Sequence, residues 1–246
     1  MKYHNNISLI IFLFFFSSFD AQELPPIKKY TTDDYGGGNQ NWMISQAPNK
    51  FIYVANNEGL LEYNGANWKM YPSPNNTIIR SVMLVDNRIY SGCYMEFGYW
   101  QKDNYGELKY LSLVPYLKVK MIADEHFWNI VKYKKWILFQ SFNRIYFYNT
   151  INNKYTIINS NHQITKVFNI NSNIYYYVLN EGLYKIEEGK SKLISNNPVF
   201  DKGIIINIFP IDSGLLIQTR NSGFYTLINK NVNKWSIQAN KILNEI

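Results

Sequence analysis

Cysteine is almost absent. The 246 residues contain only Cys93, so no intrachain disulfide can form and a Cys-based zinc site is excluded. Histidine is nearly as scarce. His4, His126 and His162 are far apart, and no HExxH pattern occurs. There is no GxSxG, no GxGxxG and no P-loop. Gly36-Gly37-Gly38 leads into Asn39-Gln40 rather than Lys-Ser/Thr, so it reads as a flexible turn. With 13 Gly and 8 Pro the chain is too poor in both for a collagen-like or low-complexity protein. Charged residues make up 17%, below the roughly 25% usual in soluble proteins. Past the N-terminus no stretch reaches the 18 or so apolar residues that a membrane-crossing helix takes.

Aromatic residues are abundant: 21 Tyr, 15 Phe and 6 Trp. A chain so rich in them can bury enough apolar surface to offset its ordering entropy, which excludes disorder. The formal charge is +7. Its lysines and arginines never run longer than two, as at Lys28-Lys29 and Lys134-Lys135, so the charge reads as a solvated surface and not as a nucleic-acid footprint.

Residues 1–21 read as a secretory signal peptide. Lys2 supplies the positive end, residues 7–16 an apolar core broken only by Ser8, and Ala21 a small residue at the cut. The core is too short to span a bilayer. Export without disulfides points to a bacterial periplasm or a similar envelope compartment.

Beyond residue 40 the hydrophobic period is two. Residues 51–55, 88–92, 136–140, 174–178 and 214–219 are short β-branched and aromatic runs bounded by Asn, Gly, Asp and Ser, which marks strands and tight turns. Each is followed by a turn and a second aromatic run. The first residues of those second runs are Gly59, Gly98, Arg144, Gly182 and Gly223, in steps of 39, 46, 38 and 41 residues. A repeat near 40 residues with several strands per unit is the mark of β-propeller blades. A β-sandwich also uses many short strands but has no reason to recur at this interval.

The expected fold is therefore all-β: a propeller of five four-stranded blades over residues 22–246, or part of a larger ring. The blades fall at about 40–72, 78–114, 128–159, 165–195 and 203–238, with the fifth blade's outer strand at 234–237. Residues 114–124 are expected as a helical insertion or long loop. Residues 27–31 could supply a closing strand. Cys93, at the end of a second strand, is expected to be buried.

Two phrases carry a resemblance. Residues 56–68 (Asn-Asn-Glu-Gly-Leu-Leu-Glu-Tyr-Asn-Gly-Ala-Asn-Trp) and 180–184 (Asn-Glu-Gly-Leu-Tyr) resemble the two-component regulator propeller repeat. Tyr35, residues 40–42 (Gln-Asn-Trp), 96–100 (Glu-Phe-Gly-Tyr-Trp) and 127–130 (Phe-Trp-Asn-Ile) fit the same pattern. The resemblance covers residues 30–246. It implies an extracytoplasmic, ligand-sensing propeller, often for a glycan, from a regulator that continues into a triple-tyrosine domain, a membrane helix and a transcriptional or kinase output. The chain stops after the fifth repeat, which reads as a fragment of such a sensor or as a small complete ring.

Catalytic constellations are thin, and no catalytic residue, metal ligand or cofactor is assigned. The turns between second and third strands should share one face with the inter-blade links. That mouth would gather Asn57, Glu58, Arg80, Met95, Glu96, Phe142, Asn143, Glu181, Arg220 and Asn221, a mixture suited to a glycan or another small extracellular ligand. Direct binding of nucleic acid is not expected. The alternatives are a propeller glycan lyase or hydrolase, which would need two carboxylates about 5–10 Å apart, and a protein-interaction scaffold.

Overall fold

The computed structural model describes residues 25–237. The signal-peptide reading of 1–21 lies outside them, as does the last residue of the expected fifth blade. The chain divides into two units, 1–30 and 31–246. In the first, residues 25–30 form neither helix nor strand. The expected closing strand at 27–31 is therefore not formed. Residue 31 instead caps a single helical turn, Thr32–Tyr35, through reciprocal bonds with Asp34.

The second unit holds twenty strands among its described residues. Blade one comprises β1 (Asn41–Gln46), β2 (Ile52–Asn56), β3 (Gly59–Tyr63) and β4 (Trp68–Pro72). Blade two has β5 (Ser81–Val85), β6 (Arg88–Gly92), β7 (Phe97–Lys102) and β8 (Leu108–Ser112). Blade three has β9 (Asn129–Tyr133), β10 (Trp136–Gln140), β11 (Arg144–Asn149) and β12 (Tyr155–Asn159). Blade four has β13 (Ile164–Ile170), β14 (Asn173–Val178), β15 (Gly182–Glu187) and β16 (Lys190–Ser195). Blade five has β17 (Ile205–Ile211), β18 (Gly214–Thr219), β19 (Phe224–Ile228) and β20 (Asn231–Lys234). Each blade is an antiparallel meander paired in sequence order.

Residues 114–124 are the long loop that was one of the two expectations, and the fifth blade's outer strand departs from its expected place. Residues 114–124 contain only a 3-10 turn, Val114–Tyr116, before running on as a loop. The fifth blade's outer strand lies at Asn231–Lys234, three residues earlier than expected. A tight turn at Asn229 and Lys230, both at positive φ, starts it early.

Strand alternation explains the packing. Because successive side chains point to opposite faces, one strand feeds two neighbouring interfaces. On β14, Tyr175 and Tyr177 pack toward blade five, whereas Ile174, Tyr176 and Val178 pack toward blade three. On β10, Ile137 and Phe139 face blade two and Leu138 faces blade four. The core is thus four apolar layers, one between each consecutive pair of blades. Aromatic rings dominate the second layer. Phe97 lies 4.5 Å from Phe139 and 4.6 Å from Phe127, centroid to centroid. Cys93 is fully buried in the first layer, and burial pushes its thiol up to about 12, with Glu96 adding to the shift.

The first strands also bond side by side. Ser45 Oγ accepts from Leu84 N, Ser81 Oγ donates to Phe127 O, Asn129 Nδ2 to Val167 O, and Lys166 Nζ to Ile206 O. Each bridge joins residues about one repeat apart. β1 packs on β5, β5 on β9, β9 on β13 and β13 on β17. Among the described residues no comparable packing returns β17 to β1, so the blades form an arc. Ile44, on the face of β1 turned away from blade two, is 66% exposed.

The recurring glycine at the start of the third strand has a steric cause. A Cβ on Gly59 would lie 2.1 Å from Tyr71 O, on Gly98 2.2 Å from Leu111 O, and on Gly182 2.3 Å from Ser195 O. Each oxygen belongs to the fourth strand of the same blade. Arg144 takes this position in blade three. It is held by Ser141 Oγ, which accepts from its backbone N, and by Asn159, which accepts from its Nε.

Candidate functional site

The starts of β1, β5 and β9 and the ends of β2, β6 and β10 lie at one end of the blades. Trp42 is the second residue of β1, Arg80 directly precedes β5, and Trp128 directly precedes β9. Three blades therefore deliver these side chains to one place. The Arg80 guanidinium carbon lies 4.0 Å from the Trp42 ring centre and 4.6 Å from that of Trp128. The two indoles meet edge to face at 6.0 Å, so the cation occupies the corner between them. Phe142 stacks on Trp128, 5.1 Å away at 17°, and is 41% exposed.

The surrounding loops are tied down. Asn57 Oδ1 accepts from Trp42 Nε1 at 2.8 Å, which fixes that indole. Fully buried Asn56 exchanges two bonds with the backbone of Gly38 and donates to Asn41 Oδ1. The triple-glycine turn is thus pinned to the top of blade one rather than left flexible. Tyr94 pairs with His126 in a one-residue β-bridge, and its hydroxyl donates to Asp124 at 2.6 Å. The His126 ring packs against Tyr94 and Trp128.

Three polar atoms in this cluster are buried and lack a partner among the described residues: Arg80 Nε, Trp128 Nε1 and His126 Nδ1. Each such atom costs about 1–3 kcal/mol, and three in one place call for an explanation. Burial lowers the pKa of Arg80, and no carboxylate opposes the shift. His126 is likewise held below its usual value, first by burial and then by the Arg80 charge, with Asp124 pulling the other way.

Of the residues expected at the mouth, Asn57, Arg80 and Phe142 belong to this cluster. Glu58 is exposed beside Gly38. Asn143 donates to Ser160 O at 3.4 Å, and Arg220 is exposed at the end of blade five. Glu96 and Glu181 turn away into their own blades. Glu96 Oε1 accepts from Tyr110 and Ser112 of β8, and burial raises its pKa against those bonds. Glu181 pairs with His162 and accepts from Tyr184 at 2.8 Å, beside a cavity of about 210 Å³ also lined by Tyr176 and Ser191. These two carboxylates therefore do not share a site. Trp42, Tyr94, His126 and Trp128 were not among the expected site residues. Their signal was available, since Trp42, Arg80 and Trp128 each mark the entrance to a first strand.

A larger cavity of about 450 Å³ opens at the opposite end of blades one and two, among Ala47, Tyr53, Leu84, Asp86 and Lys102. It contains no buried partnerless side-chain atom of the kind found at the mouth. Among the described residues no three His, Cys, Asp or Glu come together to hold a metal ion, and no helix is long and apolar enough to cross a membrane.

No protein-family profile and no curated protein matches this chain. Solved structures do. The extracellular domain described as belonging to a hybrid two-component system, BT4673 of B. thetaiotaomicron, superposes with a TM-score of 0.61 at 16% identity, covering 81% of this chain and 28% of that one. A second such domain, BT3049 of the same organism, gives 0.55 at 14% identity over 89% of this chain and 30% of that one. PorZ, a surface component of the type-IX secretion system of Porphyromonas gingivalis, gives 0.54 at 14% identity over 81% and 26%. The chain thus spans about a quarter to a third of each of these three proteins. At these identities the likeness establishes the fold, and the chain is a β-propeller arc of five four-stranded blades.

Proposed function

We propose that this chain is the ligand-binding propeller region of an extracytoplasmic sensor of the two-component type, and that a saccharide binds across the mouth formed by Trp42, Arg80, Trp128 and Phe142. The observation that carries the reading is the set of partnerless buried groups in an aromatic corner: Arg80 Nε, Trp128 Nε1 and His126 Nδ1. Aromatic faces take the C–H face of a sugar ring, and fixed polar groups set its orientation. The likeness to extracellular domains of two-component proteins supports an exported sensor, and so does the expected signal peptide. The chain binds without turnover, and signalling falls to output domains outside this sequence.

Two of the six tryptophans sit at the mouth, so intrinsic fluorescence reports on it. Titrating the chain with a panel of oligosaccharides should produce saturable quenching for at least one, and Trp128→Ala should abolish it. Incubation with the same panel should release no new reducing ends. If no oligosaccharide binds, or if turnover is sustained, the reading is wrong.

A further inference from the structure

The chemistry of the mouth is one-sided. The Arg80 guanidinium carbon sits in the corner between two indoles, 4.0 and 4.6 Å from their ring centres. Arg80 Nε has no acceptor among the described residues, and no carboxylate forms an ion pair with the guanidinium. Trp128 Nε1 can only donate. Asn57 Oδ1 accepts from Trp42 Nε1, and Asp124 Oδ1 accepts from the Tyr94 hydroxyl. The site therefore offers donors and a fixed positive charge that no carboxylate pairs with.

A neutral sugar hydroxyl can accept from these donors but brings no charge to meet the guanidinium. A carboxylate only accepts, and its two oxygens match the edge of a guanidinium in a bidentate pair. We infer that the mouth selects an acidic saccharide, with a uronic-acid carboxylate on the Arg80 edge and Trp128 Nε1, and the sugar ring against Phe142. The inference rests on the reading that the mouth binds a saccharide. It adds the charge of the ligand and the residue that reads it.

The test uses the 246-residue chain and paired probes: oligosaccharides of glucuronate, galacturonate and mannuronate, each alongside its carboxyl-reduced, neutral counterpart. Calorimetry should give at least one acid form about tenfold tighter than its reduced partner, with an advantage that shrinks as salt rises. Arg80→Gln should weaken the acid form more than the reduced form and so remove that advantage, and Arg80→Lys should keep part of it. If acid and reduced forms bind the wild-type chain equally, or if Arg80→Gln keeps the preference, the acidic selection is overturned while saccharide binding stands. If neither form of any pair binds, both readings fall. If acidic peptides bind and acidic saccharides do not, the saccharide assignment is overturned. The wild-type pairs and their salt dependence decide the matter even if the Arg80 variants do not fold.

Discussion

Replacing Gly59 by alanine tests whether close approach inside a blade is what the repeating glycine serves. The added Cβ would lie 2.1 Å from Tyr71 O and 3.1 Å from Pro72 Cα. An ordinary carbon–oxygen contact is about 3.3 Å or longer, so about 1 Å must be found. Both atoms are backbone of β4, and no side-chain rotation can supply that distance. The relief left is to splay the end of β4 from β3. That weakens the bond from Ser73 N to Glu58 O and loosens Leu60 and Tyr71, both buried in the first apolar layer. One net hydrogen bond is worth about 1 kcal/mol, and overpacking a filled core adds about 1–3 kcal/mol. The expected loss is about 3 kcal/mol, or a fall of roughly 6–12 °C in Tm for a chain of this size. Gly106→Ala is the control. Its φ is +82°, but nothing lies within 4 Å of the added carbon. Its cost should be backbone strain alone, about 1–2 kcal/mol. Urea unfolding followed by tryptophan fluorescence measures both. If Gly59→Ala unfolds at the wild-type midpoint, or costs less than Gly106→Ala, the close-approach argument fails.

Phe97→Ala should be the more damaging change. Its ring is fully buried among Phe127, Phe139 and Tyr146, and its removal should cost about 3–5 kcal/mol in the same unfolding assay. Phe142→Ala should separate binding from folding, because the exposed ring contributes under about 0.5 kcal/mol to stability, while quenching by saccharide should weaken about tenfold. Glu96→Gln should stabilise the chain at pH 7 by about 0.5–1 kcal/mol, since its acceptor oxygen can still serve Tyr110 and Ser112 without a buried charge. The sign follows from the raised folded pKa of Glu96. Wild type has its full stability below the unfolded carboxyl pKa and loses some as pH rises through the folded value. The variant's advantage should therefore vanish in melts below about pH 4, and an advantage that persists there would contradict this account.

The blades were legible in the sequence because local chemistry and long-range packing demand the same residues. An inner or second strand that serves two interfaces must be apolar on both faces, which yields runs such as residues 136–140 and 174–178. The glycine before the third strand is a steric requirement of the same sheet, so it recurs in phase. The outer strand of blade five was misplaced because β20 is polar at three of its four residues and has no such double burden. Its start is set by a turn whose residues, Asn229 and Lys230, need not be glycine.

The mouth was only half legible. Position in a turn predicts which end of a blade a residue occupies, and it placed Asn57, Arg80 and Phe142 correctly at that end. It does not predict whether a side chain points to the axis or back into its own sheet. Glu96 and Glu181 turned inward because each found a tyrosine hydroxyl within its own blade. Trp42 and Trp128 stood out in the sequence only as parts of the repeat pattern, since indoles are common in blade cores. Only the cation between them distinguishes them.

The side-by-side bridges between first strands have a mechanical consequence. Each blade is fastened to the next, and among the described residues no comparable fastening joins the last to the first. Force applied to the two chain ends would therefore load the blades in series. Stretched between surface and tip, the molecule should yield in separate steps, each releasing one repeat near 40 residues, with no single rupture of the whole.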